Sequence, residues 1–181
     1  MAGHSKWAQI KHKKSVSDAK KGQLFSKLTR EITIAARIGG GSPDANPRLR
    51  AAVLRARALG MPKDNIDRAI ERSTGATEGT QLEEFLYEAA YGKMQILIEG
   101  ITDNKNRTIG EVRQILSRYG AKLVPQNSFL WNFEKVWTDE GGDYRPKTFF
   151  EAIDEEKKKI TLLLDELVEH DDVQEVYTNC R

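Results

Sequence analysis

The 181-residue chain is 39% hydrophobic and 31% charged, and its formal net charge at pH 7 is only +2. It contains no apolar run of the roughly 18 residues that a membrane-spanning helix needs, and no apolar stretch of secretory length near its N-terminus. The single cysteine, Cys180, has no partner for an internal disulfide, which favours a reducing compartment. These features predict a cytoplasmic protein without a membrane segment.

The charge is divided unevenly along the chain. Residues 1–75 carry sixteen Lys and Arg against six Asp and Glu, a net of +10, whereas residues 76–181 carry thirteen against twenty-one, a net of −8. Such asymmetry is typical of proteins that bind polyanions such as nucleic acids. It also predicts two domains that meet near residue 75.

Residues 1–21 form a basic segment with little apolar material, so we expect a flexible tail. Its cations would neutralise backbone phosphates and release condensed counterions. These cations are Lys6, Lys11, Lys13, Lys14, Lys20 and Lys21. Trp7 lies among them and either stacks on a base or anchors the tail against the first helix.

Residues 22–75 predict a basic domain of three amphipathic helices, which together close a small bundle. The first helix is capped by Asp18 and ends at the glycine run 39–41. The second begins with Asn46 as its cap and Pro47 in its first turn. The third begins at Pro62 and ends near Gly75.

The predicted helices present arginines that can position phosphates more reproducibly than a tail can. These residues are Arg30, Arg37, Arg48, Arg50 and Arg55. On the first helix, Lys20, Lys27, Arg30 and Arg37 share one arc, opposite an apolar arc that packs. A single arginine usually lies on a solvated face, but unbalanced like charges at this density favour a polyanionic partner.

Residues 76–181 predict a ferredoxin-like α+β sandwich with an antiparallel sheet, which makes the whole chain an α+β protein. The predicted elements are strands over 85–91 and 94–101 joined by a Gly92-Lys93 turn, a helix capped by Asn106, a half-buried strand over 128–134, a polar connection over 138–146, an edge strand over 147–153, a helix over 155–169 and a strand over 173–178. The acidic character of this domain predicts contacts with protein rather than with nucleic acid.

The residues that carry catalysis in most enzymes are sparse. The histidines His4, His12 and His170 are scattered, and the sequence has no HExxH, GxSxG or paired CxxC motif. Neighbouring carboxylates such as Glu83-Glu84 are typical of a solvated acidic surface. We therefore predict a non-enzymatic protein with no metal site and no cofactor.

Several short motifs together resemble the YebC/PmpR family. They are Met1-Ala2-Gly3-His4-Ser5-Lys6-Trp7, Ile10-Lys11-His12-Lys13-Lys14, Asp18-Ala19-Lys20-Lys21-Gly22, Phe25-Ser26-Lys27-Leu28, Asn46-Pro47-Arg48-Leu49-Arg50, Met61-Pro62-Lys63-Asp64-Asn65-Ile66 and, at the C-terminus, residues 171–179. The resemblance implies cytoplasmic proteins with a helical domain, a ferredoxin-like second domain and a third domain inserted within the second. The resemblance also implies a set of nucleic-acid contacts in which His12 and Lys27 join the basic residues already named. The full set is Lys6, Trp7, Lys11, His12, Lys13, Lys14, Lys20, Lys21, Lys27 and Arg30.

The resemblance implies a DNA-binding transcriptional regulator that grips double-stranded DNA. It also leaves open a translation factor that binds ribosomal RNA with the same surface, as a mitochondrial relative is a translational activator. A short stretch over 137–145 stands where the inserted third domain is expected, so that domain is predicted to be missing. The expected partners are nucleic acid and a protein at the acidic domain, with the chain a monomer or weak dimer.

Overall fold

The computed structural model describes residues 18–74, 81–138 and 141–181. They divide into two compact units, one helical and one built mainly from Glu84–Val136 and Asp143–Arg181. The helices are α1 (Asp18–Gly39), α2 (Pro47–Ala58), α3 (Lys63–Thr74), α4 (Lys105–Arg118) and α5 (Asp154–Glu169). The strands are β1 (Glu83–Tyr91), β2 (Met94–Thr102), β3 (Lys122–Val124), β4 (Phe133–Thr138), β5 (Gly141–Pro146) and β6 (Val173–Thr178). The predicted α+β class is confirmed.

The helical unit is held together by one apolar stripe from each helix. Leu28 and Ile32 of α1 pack with Leu49 and Ala52 of α2 and with Ile66 of α3. The predicted start of α2 is confirmed, since the Asn46 side chain accepts a hydrogen bond from the Leu49 N–H and Pro47 follows it. The cap predicted at Asp18 involves a side chain that lies outside the described part of the structure.

The second unit is organised around a four-stranded sheet of order β3-β1-β2-β6. Strand β3 pairs with β1 and strand β6 pairs with β2, both antiparallel, and Leu97 of β2 pairs with Tyr177 of β6. The turn predicted at Gly92-Lys93 joins β1 to β2, and Gly92 adopts φ +57°, a left-handed conformation that suits glycine. The three-residue strand β3 is an element that the sequence pattern did not predict.

Each face of this sheet is covered by a different layer. Ile96 and Ile98 of β2 pack against the helical layer, which supplies Val112 of α4 and Leu163 and Leu167 of α5. The intervening residue Leu97 points to the other face, since side chains alternate along a strand. There Leu97 and Tyr177 pack with Phe133 of β4 and Tyr144 of β5. The two-stranded sheet β4-β5 therefore covers the face that the helices leave open.

Four sequence predictions about the second unit are wrong. The cap of α4 is Asn104, whose side chain accepts from the Arg107 N–H, rather than Asn106. The strand predicted over 128–134 is a loop and a short 3₁₀ helix, Leu130–Asn132, before β4 begins. The polar connection over 138–146 contains β5. The edge strand over 147–153 is reduced to one isolated bridge between Phe150 and Cys180.

The failed strand over 128–134 has a clear physical cause. The predicted strand would place Phe129, Trp131 and Phe133 on one buried face. In the structure Trp131 is exposed and Asn132 is buried. The Asn132 amide donates to Gln95 Oε1, and its oxygen accepts from Thr148. Buried polar groups are tolerated when they are satisfied in this way, and these partners are distant in sequence.

Candidate nucleic-acid interface

The junction between α1 and α2 is fixed by a single buried side chain. The Asn46 amide nitrogen donates to the Ala35 carbonyl at 2.8 Å and to the Gly40 carbonyl at 2.9 Å. Its oxygen caps α2 at the Leu49 N–H, at 3.1 Å. A Cβ at Gly39 would lie 2.6 Å from the Asn46 amide nitrogen, so the glycine permits the close approach. The end of α1 and the start of α2 are therefore held in one arrangement.

Two exposed arginines flank this junction and are braced by backbone carbonyls. Arg50, in the first turn of α2, donates its Nε–H to the Pro43 carbonyl at 3.0 Å and a terminal N–H to the Asp44 carbonyl. Arg37, in the last turn of α1, donates to the Leu82 carbonyl. A guanidinium carries five N–H donors, so each keeps donors beyond these bonds. The two side chains are thus partly ordered while their charge faces solvent.

The other predicted arginines are less accessible. Arg30 and Arg48 are half-buried. Arg55 forms an ion pair with Glu31, and both side chains are largely shielded. An internal carboxylate partner reduces the positive charge that Arg55 can offer to a ligand.

The lysines of α1 divide in the same way. Lys20 and Lys21 are exposed near the start of the helix. Lys27 is only 3% exposed, so the structure does not present it on the basic arc where the sequence predicted it. Its aliphatic stem is long enough to be buried beside the apolar stripe of α1. Lys6, Trp7, Lys11, His12, Lys13 and Lys14 lie outside the described residues.

The helical unit carries an excess of positive charge. Residues 18–74 carry twelve Lys and Arg against six Asp and Glu. The first turn of α2 contains no acidic residue and includes Arg48 and Arg50. The N-terminal end of α2 carries partial positive charge and the C-terminal end of α1 carries partial negative charge, so the excess of positive charge comes from the arginines. The arrangement can therefore hold phosphate oxygens.

A second group of ionisable side chains joins α4 to β6. Oδ2 of the buried Asp172 accepts from Arg107 at 2.7 Å, from Thr108 at 2.6 Å and from Thr102 at 3.1 Å. The bond from Arg107 to this carboxylate raises the pKa of the guanidinium. These three groups, one of them a guanidinium, satisfy the hydrogen-bonding capacity of this oxygen.

His170 completes this network, and its ligand atoms lie with those of Glu111 and Asp172 within 4.8 Å of one another. Such a trio has the composition of a metal site. However, His170 Nδ1 accepts from the Asp172 N–H, so the neutral ring carries its proton on Nε2, which lies 2.9 Å from Glu111. With Arg107 already on Asp172, we interpret the trio as a hydrogen-bonded clamp between α4 and the start of β6.

Cys180 does not have the surroundings of an activated nucleophile. Burial raises the pKa of its thiol. A thiol with a raised pKa stays protonated near neutral pH, and the protonated form is a poor nucleophile.

Two family models match the chain. The model described as the TACO1/YebC protein N-terminal domain matches residues 5–76, and the model described as the TACO1/YebC second and third domain matches residues 82–138. Together they cover more than half of the sequence. The chain belongs to the TACO1/YebC family.

Other members of the TACO1/YebC family support this assignment. A Petrotoga mobilis protein is 53% identical over 156 residues, covering 86% of this chain and 61% of its own length. A Fervidobacterium nodosum protein is 37% identical, covering 99% of this chain and 93% of its own length. Both are named "Probable transcriptional regulatory protein". The crystal structure of a conserved hypothetical protein from Aquifex aeolicus matches with a TM-score of 0.86 and 33% identity, covering 98% of this chain and 97% of that one.

The lengths of these TACO1/YebC relatives differ from that of this chain. The chain spans about three fifths of the Petrotoga protein and 54% of a Thermotoga maritima relative. The Fervidobacterium alignment covers 235 positions, more than the 181 residues of this chain. That relative therefore carries residues that have no counterpart here. The match to the second-and-third-domain model ends at residue 138, between β4 and β5.

Sequence reasoning missed two features of this TACO1/YebC interface. The capping role of Asn46 was predicted, but its bonds to α1 were not, and the nearby glycine run was the available signal for a close approach. The exposed apolar side chains Ile38 and Leu54, on the same two helices, were also missed.

Proposed function

We propose that this TACO1/YebC-family protein is a non-enzymatic, cytoplasmic transcriptional regulator that binds double-stranded DNA through its basic N-terminal part. The observation that carries the proposal is the α1–α2 junction, where Asn46 fixes the backbone beside Arg37 and Arg50. The names of the curated relatives support a regulatory role. The reducing compartment implied by a single cysteine is consistent with the cytoplasm.

The mechanism is electrostatic. Arg37 and Arg50 bind phosphate oxygens with the N–H groups that their carbonyl partners leave over, and Arg48 adds charge at the start of α2. Each neutralised phosphate releases condensed counterions, so affinity falls steeply as salt is added. Phosphate contacts fix orientation but carry no base information, so this surface binds duplex DNA with little sequence preference. The lysines of residues 1–21 extend the same contact along the backbone.

The acidic second unit has a separate role in this proposal. Residues 76–181 carry a net charge of −8, which disfavours close approach to phosphates over most of this part of the chain. We assign it to contacts with a protein partner, and we expect the chain to act as a monomer or weak dimer. The inserted third domain of longer relatives is absent on this interpretation, so any activity that resides there does not transfer.

The proposal is tested by a salt titration of duplex DNA binding, measured by fluorescence anisotropy. The variant Arg37→Gln/Arg50→Gln removes two exposed charges that flank the junction. It should weaken binding and lower the slope of log K against log salt by about 0.9 for each lost phosphate contact.

The matched control is Arg113→Gln/Lys158→Gln, which removes two exposed charges from α4 and α5 of the acidic unit. It should leave the slope unchanged. Equal slopes for the two double variants would show that the junction does not bind phosphates. Circular dichroism and urea unfolding confirm that each variant keeps its fold.

A further inference from the structure

Trp131, like Trp137, is a largely exposed tryptophan, and its backbone lies in the 3₁₀ helix Leu130–Asn132. Its side chain is 63% exposed. The indole N–H donates to the Ser128 carbonyl at 2.9 Å, so its hydrogen-bonding group is already satisfied. What the side chain offers to a ligand is therefore its ring face.

The loop before Trp131 is clasped by a buried carboxylate. Glu88 of β1 is only 3% exposed, and its oxygens accept from the N–H groups of Asn127, Phe129 and Leu130. A buried carboxylate is costly unless it is hydrogen-bonded, and here three donors stabilise it. The conformation of the residues that lead into Trp131 is thus fixed from within the sheet.

A second buried polar group fixes the other side. Asn132 is fully buried and bonds to Gln95 and Thr148. The Lys147 N–H donates to the Asn132 carbonyl at 2.7 Å, and the Lys147 ammonium donates to the Trp131 carbonyl at 3.0 Å. Trp131 therefore loses little conformational entropy of its backbone on binding, which favours affinity.

A cation is held beside Trp131. The Lys147 ammonium bonds to the Trp131 carbonyl, and Lys147 is exposed. Two residues earlier in the chain, Arg145 of β5 is exposed between the buried residues Tyr144 and Pro146. An exposed aromatic ring with a cation beside it matches how proteins bind single-stranded nucleic acid, where a base stacks and the backbone is neutralised.

We propose that Trp131, with Lys147 and Arg145, forms a second nucleic-acid contact that binds an unpaired base of a single strand. The base stacks on the indole face, and the flanking phosphates approach the two cations. This contact belongs to the second unit and is independent of the duplex-binding junction proposed for α1 and α2. It gives the otherwise acidic unit one local surface that tolerates a polyanion.

The test uses the full chain and a short fluorescein-labelled oligouridine as the single-stranded probe. Trp131→Ala should weaken binding about five- to a hundredfold, the range for loss of one base–aromatic stack. The matched control is Leu162→Ala on α5, another exposed apolar side chain at 57% exposure, which should leave the affinity unchanged. Arg145→Gln/Lys147→Gln should lower the salt slope by about 0.7 for each lost single-strand contact.

A direct readout comes from the fluorescence of Trp131 itself. In the variant Trp7→Phe/Trp137→Phe, Trp131 is the sole tryptophan, and stacking should quench its emission as oligouridine is added. The proposal is overturned if the emission does not change and Trp131→Ala binds as tightly as Leu162→Ala. That result would not affect the duplex titration of the Arg37/Arg50 variant, so the two proposals fail independently.

Discussion

At the scale of single residues, Asn46 has the largest structural effect that we expect in the helical unit. It caps α2 and also satisfies two carbonyls at the end of α1. Asn46→Ala should lower the free energy of unfolding by about 1–3 kcal/mol, because a cap is lost and buried carbonyls are left unpaired. Urea unfolding measures this change.

The neighbouring residue Asp44 provides the control for that prediction. Its side chain is exposed in the turn before α2, and Arg50 contacts only its backbone carbonyl. Asp44→Ala should change stability by less than about 0.5 kcal/mol. If both variants unfold at the same urea concentration, Asn46 does not hold the junction.

Tyr177 predicts how stability depends on alkaline pH. Burial, together with the nearby carboxylates of Glu175 and Glu99, raises the pKa of its hydroxyl above the ordinary value. Because the folded protein keeps the hydroxyl protonated more strongly than the unfolded chain does, the neutral Tyr177 side chain contributes to the stability of the fold. This contribution is complete below the unfolded pKa of about 10 and is lost as the pH rises above it. The parent protein should therefore lose stability above pH of about 10 more steeply than Tyr177→Phe does. Urea unfolding at a series of pH values checks this, and parallel curves for the two proteins would refute it.

At the scale of elements, the structure and the sequence prediction differ at the start of α4. Asn104 caps this helix, whereas Asn106 lies exposed in its first turn. Asn104→Ala should destabilise the protein by about 1 kcal/mol. Asn106→Ala should be neutral or slightly stabilising, because alanine has the higher helix propensity. Thermal unfolding of the two variants compares them directly, and the opposite ranking would restore the cap predicted from sequence.

Elements with strong local signals could be predicted from sequence, and those that depend on distant partners could not. Asn46-Pro47 begins α2 and Gly92-Lys93 joins β1 to β2, because capping and turn chemistry act over a few residues. Strand β3 has only three residues and exists through its pairing with β1. The exposure of Trp131 depends on Glu88, which lies about forty residues earlier in the chain.

The same distinction applies to the candidate interface. Charge segregation and helical spacing identified Arg37 and Arg50, which are exposed. They did not identify the burial of Lys27 or the pairing of Arg55 with Glu31. Burial of a long charged side chain depends on how helices pack, and a helical wheel of one element does not contain that information.

At the scale of the whole molecule, the two parts of the chain carry opposite charge. The net charge is +10 over residues 1–75 and −8 over residues 76–181, and the proposed function assigns the polyanion to the first part and a protein partner to the second. None of the described helices has the length and apolar content needed to cross a bilayer. In this chain, β4 and β5 supply Phe133 and Tyr144 to cover the face of the four-stranded sheet that the helices leave open.

DNA binding is best tested by parallel salt titrations of the full chain on duplex DNA and on purified ribosomes, monitored by fluorescence anisotropy. We expect submicromolar duplex binding that exceeds the ribosome signal, with a salt slope that decreases in Arg37→Gln/Arg50→Gln. Tight ribosome binding with only weak, salt-labile duplex binding would contradict it. In that case the basic surface would serve ribosomal RNA, and its affinity for DNA would be a by-product of its charge.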